Sequence, residues 1–191
     1  MTIADPFSSL LIAAQTGAPW ALERVYRELA PTVAGYLRVQ GALEPDDLTS
    51  EVFLKVFQNL GTFSGTEEQF RSWVFTIAHH RLVDARRAQA RRPQLADHAQ
   101  DQDHAAPYGQ AGLDTDVEAT VMRHLSEERV RRLCDQLSPD QRDVLLLRLV
   151  ADMTLQQTAE ALGKTTGAVK ALQHRSVAAL QRLLEREGVS L

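Results

Sequence analysis

The sequence predicts an all-α protein of two small helical domains joined by a flexible acidic linker, the C-terminal domain being a helix-turn-helix. Three observations support this fold class. Aromatic residues make up 6% of the chain, whereas Ala, Leu, Arg and Gln are plentiful. Straight-chain side chains favour helix because they lose little rotamer freedom there. Apolar residues also recur at helical spacing in two blocks, and a polar stretch containing Pro and Gly separates these blocks.

The first domain is predicted over residues 1–92, with helices beginning at about Pro6. Pro45 suits the first position of a helix, whose apolar stripe comprises Leu48, Val52, Phe53, Val56, Phe57 and Leu60. Gly61 is expected to end that helix, and a polar loop follows over residues 61–66. The next helix has an apolar face that includes Trp73. It ends in a cluster of five arginines: Arg81, Arg86, Arg87, Arg91 and Arg92.

Residues 93–116 are predicted to form the flexible linker. This stretch contains two prolines and two glycines and has few large apolar side chains, and residues 93–118 include six acidic residues and no basic ones. Such a segment cannot bury enough apolar surface to offset the entropy lost on ordering.

The second domain is predicted over residues 117–191. Ser138 and Thr154 each stand three residues before a glutamine, which is the pattern of a capping box at a helix start. The helix that Thr154 begins is short and ends at Gly163, and another helix starts after Thr165. Two helices joined by a short turn with a glycine are typical of a helix-turn-helix. A plain helical hairpin in a bundle is the alternative.

The second helix of this pair has a face suited to the major groove of DNA. Val169, Leu172 and Leu180 define its buried side at 100° per residue. Four basic residues and no acidic ones lie between Lys164 and Arg182, so this part of the chain is basic although the net charge is −4. The opposite side carries small, basic and polar residues: Gly167, Lys170, Ala171, His174 and Ala178, with Arg175 at its margin.

Other functional classes have little support. The single cysteine, Cys134, excludes an internal disulfide and fits a packed side chain better than a reactive thiol. No secretory signal or membrane-spanning run is discernible, so no membrane insertion and a cytoplasmic location are expected. No phosphate-binding loop or nucleophile elbow occurs, and we expect neither an enzyme nor a cofactor.

A metal-dependent enzyme is a further alternative. Its ligands would come from His79, His80, Asp84, His98 and His104. Adjacent histidines on a helix point about 100° apart, however, and the last two histidines lie in the predicted linker. We therefore expect no metal site.

Several segments resemble the extracytoplasmic-function (ECF) subfamily of the sigma-70 family of bacterial RNA polymerase sigma factors. Residues 137–148 (LSPDQRDVLLLR), 154–163 (TLQQTAEALG) and 167–175 (GAVKALQHR) are similar to region four of that family. Residues 46–53 (DDLTSEVF) resemble the polymerase-binding part of region two, and residues 70–87 (FRSWVFTIAHHRLVDARR) resemble its minus-ten helix. The resemblance covers about residues 18–92 and 118–186.

The resemblance implies a transcription initiation factor that binds core RNA polymerase and directs it to promoters. It also implies three partners. These are core RNA polymerase (the clamp coiled coil of its largest subunit, and its flap), promoter DNA and an anti-sigma factor. Contacts with the clamp would come from Asp47, Leu48, Glu51, Phe53 and Leu54. The minus-ten element would be held by Phe63, Ser64, Thr66, Arg81, Arg86, Arg87 and Arg91. The minus-thirty-five element would be read by Lys164, Thr165, Thr166, Lys170, Ala171, His174 and Arg175.

The sequence departs from the family pattern at four positions. His80 stands where the family usually has Asn, Ser50 where it has Gln, and Ala171 and Leu172 where Ser and Arg are commoner. These differences affect the promoter sequence rather than the class. The main alternative function is a stand-alone helix-turn-helix transcriptional regulator, which would leave the first domain unexplained and would predict a dimer on a palindromic site.

Overall fold

The computed structural model describes residues 6–91 and 128–186, and all regular secondary structure in these ranges is helical. The first range forms a four-helix bundle in which α2 packs on α1, α3 and α4, and α3 also packs on α4. A short 3₁₀ turn, Leu60–Thr62, follows α3. The helices are α1 (Pro6–Gln15), α2 (Pro19–Val39), α3 (Pro45–Asn59) and α4 (Glu67–Arg91).

The second range forms a smaller bundle. It contains α5 (residues 128–135), α6 (Pro139–Leu149), α7 (Leu155–Leu162) and α8 (Thr166–Arg186). Arg142 ties α5 to α6, because its guanidinium donates to the Cys134 carbonyl and pairs with Asp135 at 3.0 Å. Helices α6 and α7 both pack on α8.

The helix-turn-helix prediction is confirmed in its details. Both predicted capping boxes are present, with Ser138 at the start of α6 and Thr154 at the start of α7. Gly163 ends α7 in the left-handed conformation at φ 61°, where a side chain would be strained. Thr165 then accepts a hydrogen bond from the Ala168 backbone at the start of α8.

Two details of the predicted helices differ from the structure. Helix α3 ends at Asn59, and Gly61 lies inside the 3₁₀ turn rather than ending the helix with a positive φ. Thr66 and Gln69 form a third capping box at the start of α4. The sequence analysis did not predict this box, although its T-x-x-Q pattern is the same as that of Thr154 and Gln157. The predicted linker at 93–116 lies outside the described residues.

The two bundles pack against each other through α6. Four consecutive residues of this helix, Val144 to Leu147, are buried. Val144 packs inside the second bundle with Ala159, Val169 and Leu172. Leu146 and Leu147 instead join the core of the first bundle, together with four further residues of the second bundle: Cys134, Ala151, Met153 and Ala161. Burial of successive residues on a helix requires contacts on more than one face.

Polar side chains bridge the two bundles beside this apolar contact. Gln40, which is 1% exposed, donates from Nε2 to Asp143 Oδ1 at 2.7 Å and to the Tyr36 hydroxyl at 3.4 Å. The Arg86 guanidinium donates to the Gln40 carbonyl and to Gln40 Oε1. The Tyr36 hydroxyl also lies 3.2 Å from His79 Nδ1. We call these five residues the interbundle cluster.

Burial controls the ionisation of two members of this cluster. It raises the pKa of Tyr36 above its ordinary range, and the nearby Asp143 carboxylate adds to this effect. Burial also lowers the pKa of His79, and the charges of His80 and Arg86 lower it further, whereas Asp143 opposes the shift. Tyr36 accepts a hydrogen bond from Gln40 and can donate its own proton to neutral His79.

The depressed pKa of His79 predicts a loss of stability in acid. Below about pH 6.5 the unfolded chain binds a proton at His79 that the folded chain resists, so the free energy of unfolding falls as the pH falls further. This histidine contributes at most about 1.4 kcal/mol per pH unit. Denaturant unfolding at pH 7.5 and pH 5.5 should show a smaller pH dependence for His79→Gln than for the wild type. His174→Gln, which removes an exposed histidine of α8 outside the interbundle cluster, should retain the wild-type dependence, and an equal loss in both variants would contradict the assignment.

Candidate nucleic-acid interface

The predicted DNA-reading face of α8 is exposed. Lys170, Ala171, His174 and Arg175 all lie on the surface, while Val169 and Leu172 are buried as predicted. The Arg175 guanidinium folds back on the Ala171 carbonyl at 3.3 Å. The structure therefore presents a small, basic face of the kind that a major groove admits.

The residues at the N-terminal end of α8 are also accessible. Thr165 and Thr166 are exposed, and Lys164 is partly exposed. Lys164 Nζ pairs with Asp140 Oδ2 at 3.0 Å, so a DNA phosphate would compete with this carboxylate for the ammonium group.

Buried hydrogen bonds fix α8 against the rest of its bundle. Ser176 is fully buried, and its hydroxyl lies 3.1 Å from the Gln141 carbonyl of α6 and 2.8 Å from the Leu172 carbonyl. Arg148 contacts the Gln173 side chain at 3.4 Å and the Met153 carbonyl. Ser176 and Arg148 thus hold the predicted DNA-reading face of α8 in place. The sequence analysis did not identify either residue. The one signal for Ser176 was its spacing, because it lies one helical turn beyond the buried Leu172.

The predicted minus-ten loop lies over an aromatic cluster. The Phe63 ring stacks on Trp73, with ring centroids 5.2 Å apart, and it meets Phe70 edge-on. Gln15 of α1 secures the loop, because its amide donates to the carbonyls of Leu60 and Phe63 at 3.0 and 2.7 Å. Both Phe63 and Trp73 are partly exposed, so they are neither wholly core nor wholly surface.

The remaining predicted minus-ten residues differ in their exposure and in their contacts. Ser64, Thr66, Arg87 and Arg91 are exposed, whereas Arg81 and Arg86 are partly buried. Arg87 pairs loosely with Asp84 at 3.7 Å. Arg86 is engaged by Gln40 in the interbundle cluster. Arg92 lies outside the described residues.

The predicted polymerase-binding residues divide into two groups. Asp47, Glu51 and Leu54 are exposed on α3, with Leu54 at 60% exposure. Leu48 and Phe53 are buried, and the Phe53 ring packs edge-on against Tyr26 with centroids 4.8 Å apart. Phe53 therefore supports the surface from below, and its removal would leave a cavity in the first bundle.

Metal chemistry finds no support in the described residues. His79 is buried against Tyr36 while His80 points outward to the Ala161 carbonyl of α7 at 3.3 Å. Over residues 6–91 and 128–186, no cluster of potential ligands could hold a metal ion. None of the helices within those ranges is long and apolar enough to cross a membrane.

Family models match both bundles in chain order. The model of Sigma-70 region 2 matches residues 25–92, and that of Sigma-70, region 4 matches residues 134–182. The chain is also 32% identical over 189 residues to the ECF RNA polymerase sigma factor SigD of Mycobacterium tuberculosis, a match that covers 94% of this chain and 82% of SigD. The chain belongs to the ECF subfamily of sigma-70 factors. The sequence prediction of this subfamily is confirmed.

Other relatives agree with this assignment. The sigma factor is 30% identical over 177 residues to the ECF RNA polymerase sigma factor BldN of Streptomyces coelicolor, a match that covers 92% of this chain and 64% of BldN. Sigma factors are transcription initiation factors. Membership of this family therefore favours transcription initiation over the alternative of a stand-alone transcriptional regulator. The finer expectation that the chain has no catalytic activity stays a prediction.

Two solved structures share the fold of the sigma factor. CnrH in complex with the cytosolic domain of CnrY has a TM-score of 0.63 at 20% identity, and the match covers 93% of this chain and 96% of the other. The sigma factor RpoE in complex with the anti-sigma factor NepR from Bartonella quintana has a TM-score of 0.61 at 20% identity, covering 85% and 96%.

The buried hydroxyl of Ser176 predicts a measurable contribution to stability. Ser176→Ala should lower the free energy of unfolding by about 1 kcal/mol, since a buried hydrogen bond between α8 and α6 is lost. Ser50→Ala is the matched control, because the exposed Ser50 hydroxyl bonds only to the Asp46 carbonyl of its own helix. That control should change stability by less than about 0.5 kcal/mol. Equal effects in denaturant titrations would contradict the role given to Ser176.

Proposed function

We propose that the sigma factor binds core RNA polymerase through α3, reads the minus-thirty-five element with α8 and holds the minus-ten element with the 60–66 loop and α4. The observation that carries this proposal is the exposed face of α8, where Lys170, Ala171, His174 and Arg175 stand together on a helix that buried contacts keep in position. A rigid helix with a basic, small-residue face can enter a major groove.

The proposed minus-thirty-five contacts divide into two kinds. Lys170, Ala171, His174 and Arg175 would face base edges, while Lys164, Thr165 and Thr166 at the start of α8 would contact phosphates. Base-edge contacts specify sequence, whereas phosphate contacts fix register and orientation. The Lys164–Asp140 pair supports the assignment of Lys164 to phosphates, since its ammonium group already binds an anionic oxygen at 3.0 Å.

The proposed minus-ten site holds a base that has left the DNA stack. Extrusion of a base costs a few kcal/mol, which stacking on aromatic rings can offset. Phe63 and Trp73 offer a partly exposed stacked pair, and Ser64 and Thr66, which follow Phe63 closely in the sequence, have exposed side chains. Arg81, Arg86, Arg87 and Arg91 of α4 would then follow the DNA backbone.

For polymerase binding, the proposal rests on the exposed residues of α3. Asp47, Glu51 and Leu54 combine two carboxylates with a large exposed apolar side chain. We assign this surface to the clamp coiled coil of the largest subunit, and we assign the second bundle to the flap. Leu48 and Phe53 support the surface from the core.

Regulation and location complete the proposal. We propose that an anti-sigma factor with helical binding segments competes with core polymerase for this α3 surface, because an exposed apolar and acidic face suits a helix laid across it. The complex of the matched RpoE with the anti-sigma factor NepR supports this idea. Polymerase and promoter DNA as partners would place the protein in the cytoplasm.

Base reading predicts position-specific effects on promoters. Lys170→Ala and His174→Ala should each cost about 1–3 kcal/mol at one or two positions of the minus-thirty-five element and relax the preference there. Arg87→Ala should weaken opening of all promoters alike, since a phosphate contact carries no sequence information. The measurement is a competition of promoter variants in transcription reconstituted with core polymerase. Arg182→Ala, further along α8, is the control for loss of one positive charge, and the same loss of preference in that variant would refute base reading by Lys170.

The α3 surface predicts a specific loss of polymerase binding. Replacing Glu51 and Leu54 by Ala should reduce affinity for core polymerase at least tenfold while leaving helicity unchanged, because both side chains are exposed. The matched control replaces Glu23 of α2 and Ile12 of α1. These are an exposed acidic residue and an exposed apolar residue elsewhere on the first bundle. Co-elution and titration with core enzyme provide the readout. If the Glu51 and Leu54 variant binds as tightly as the control, α3 is not the polymerase-binding surface.

A further inference from the structure

Helix α1 contacts the proposed minus-ten loop although it lies outside the residues that the region 2 model matches. That match begins at residue 25, whereas α1 ends at Gln15. The Gln15 Nε2 atom donates to the Leu60 carbonyl at 3.0 Å and to the Phe63 carbonyl at 2.7 Å. An amide group has two N–H donors, so each carbonyl can receive one of them. A single side chain of α1 therefore bonds the start of the 60–66 loop and its aromatic residue.

The packing of α1 fixes the position of this amide. Leu10 and Ala14 belong to the core of the first bundle, and Ala14 is the neighbour of Gln15. Where the chain turns towards α2, the Ala18 backbone donates to the Ala13 carbonyl at 3.0 Å. The entropy of ordering this part of the chain is therefore lost when the protein folds rather than when it binds DNA.

Helix α1 also supports the aromatic rings below the loop. Phe7 is buried, and its ring centroid lies 5.6 Å from that of Phe70. The Phe70 ring in turn contacts Phe63 at 5.2 Å and Trp73 at 5.7 Å. Phe63 is thus held in two ways, because Gln15 bonds its carbonyl and Phe70 supports its ring. Both supports begin on α1.

We infer that Gln15 is a positioning residue for base capture, and that its two hydrogen bonds keep Phe63 stacked on Trp73 in the orientation that receives an extruded base. The inference rests on the proposed function of the 60–66 loop and extends the minus-ten site to α1. Without the amide, the Leu60 and Phe63 carbonyls would bond to water and the loop would sample other positions. A base would then have to order the loop as it bound, which lowers affinity.

Three variants separate the hydrogen bonds of Gln15 from its charge and size. Gln15→Glu keeps the length of the side chain but replaces the donor by a carboxylate, which only accepts hydrogen bonds. Gln15→Leu removes the donor without adding a charge. Gln58→Glu is the matched control, because Gln58 is an exposed residue of α3 two positions before Leu60 and the variant adds the same charge near the same loop.

The stacking of Phe63 on Trp73 gives a spectroscopic test in the full-length chain. The chain has two tryptophans, so Trp20→Phe leaves Trp73 as the reporter. In that background, both Gln15 variants should increase acrylamide quenching of Trp73 and shift its emission to longer wavelength. Gln58→Glu should change neither. Unchanged quenching in the Gln15 variants would overturn the inference.

Binding of single-stranded DNA tests the consequence for function. The probes are a fluorescent single-stranded oligonucleotide of random sequence, about 12 bases long, and a duplex of the same length, both at low salt. The Gln15 variants should lower affinity for the single strand about three- to tenfold, since stacking of bases on aromatic rings contributes on that scale. Gln15→Leu should leave affinity for the duplex unchanged. A residue that only stabilised the fold would affect both probes alike, and that result would overturn the inference.

Phe63→Ala distinguishes failure of this inference from failure of the proposed function. This variant should lower affinity for the single strand at least as much as the Gln15 variants do. If Phe63→Ala lowers that affinity and neither Gln15 variant does, the loop holds a base without help from α1, and the inference alone is refuted. If none of the three variants lowers it, the loop does not hold a base, and the proposed minus-ten function is refuted with the inference.

Discussion

The packing of α6 between the two bundles is the contact on which the rest of the structure depends. Val144 faces the interior of the helix-turn-helix, while Leu146 and Leu147 enter the core of the first bundle. Burial of these side chains removes apolar surface from water on both sides of one helix, and each fully buried leucine contributes about 1.5–3 kcal/mol. The polar interbundle cluster adds direction to this apolar contact. It sets which face of α6 lies towards the C-terminal end of α2, because the Asp143 carboxylate has to reach the Gln40 amide.

The proposed binding surfaces are accessible while the two bundles are packed together. A sigma factor needs a helix that reads DNA and a surface that binds polymerase, and we propose α8 and α3 for these roles because both helices have exposed faces. A partner that binds both bundles at fixed positions, as proposed for core polymerase, raises the effective concentration of one site once the other is bound.

Much of the fold could be predicted because its signals are local. Capping boxes, the glycine after α7 and the apolar spacing of α8 depend on residues close together in sequence. The contact between the bundles could not be predicted with equal ease, since Gln40 and Asp143 are 103 positions apart. One signal was nevertheless present. Residues 144–150 (VLLLRLV) are apolar at six of seven positions, which exceeds what a helix with a single buried face requires. The predicted polymerase residues show a related difficulty, because the sequence pattern of α3 does not separate exposed Leu54 from buried Phe53.

The coupling of the two bundles in the free protein is tested most directly by tryptophan fluorescence. Both tryptophans, Trp20 and Trp73, lie in the first bundle, so their emission reports on that bundle alone. Val169→Ala makes a cavity in the separate apolar core of the second bundle. If the bundles unfold as one unit, this variant should lower the denaturant midpoint of the tryptophan signal, and circular dichroism should give the same midpoint. An unchanged tryptophan midpoint, with a second and earlier transition in circular dichroism, would contradict the account.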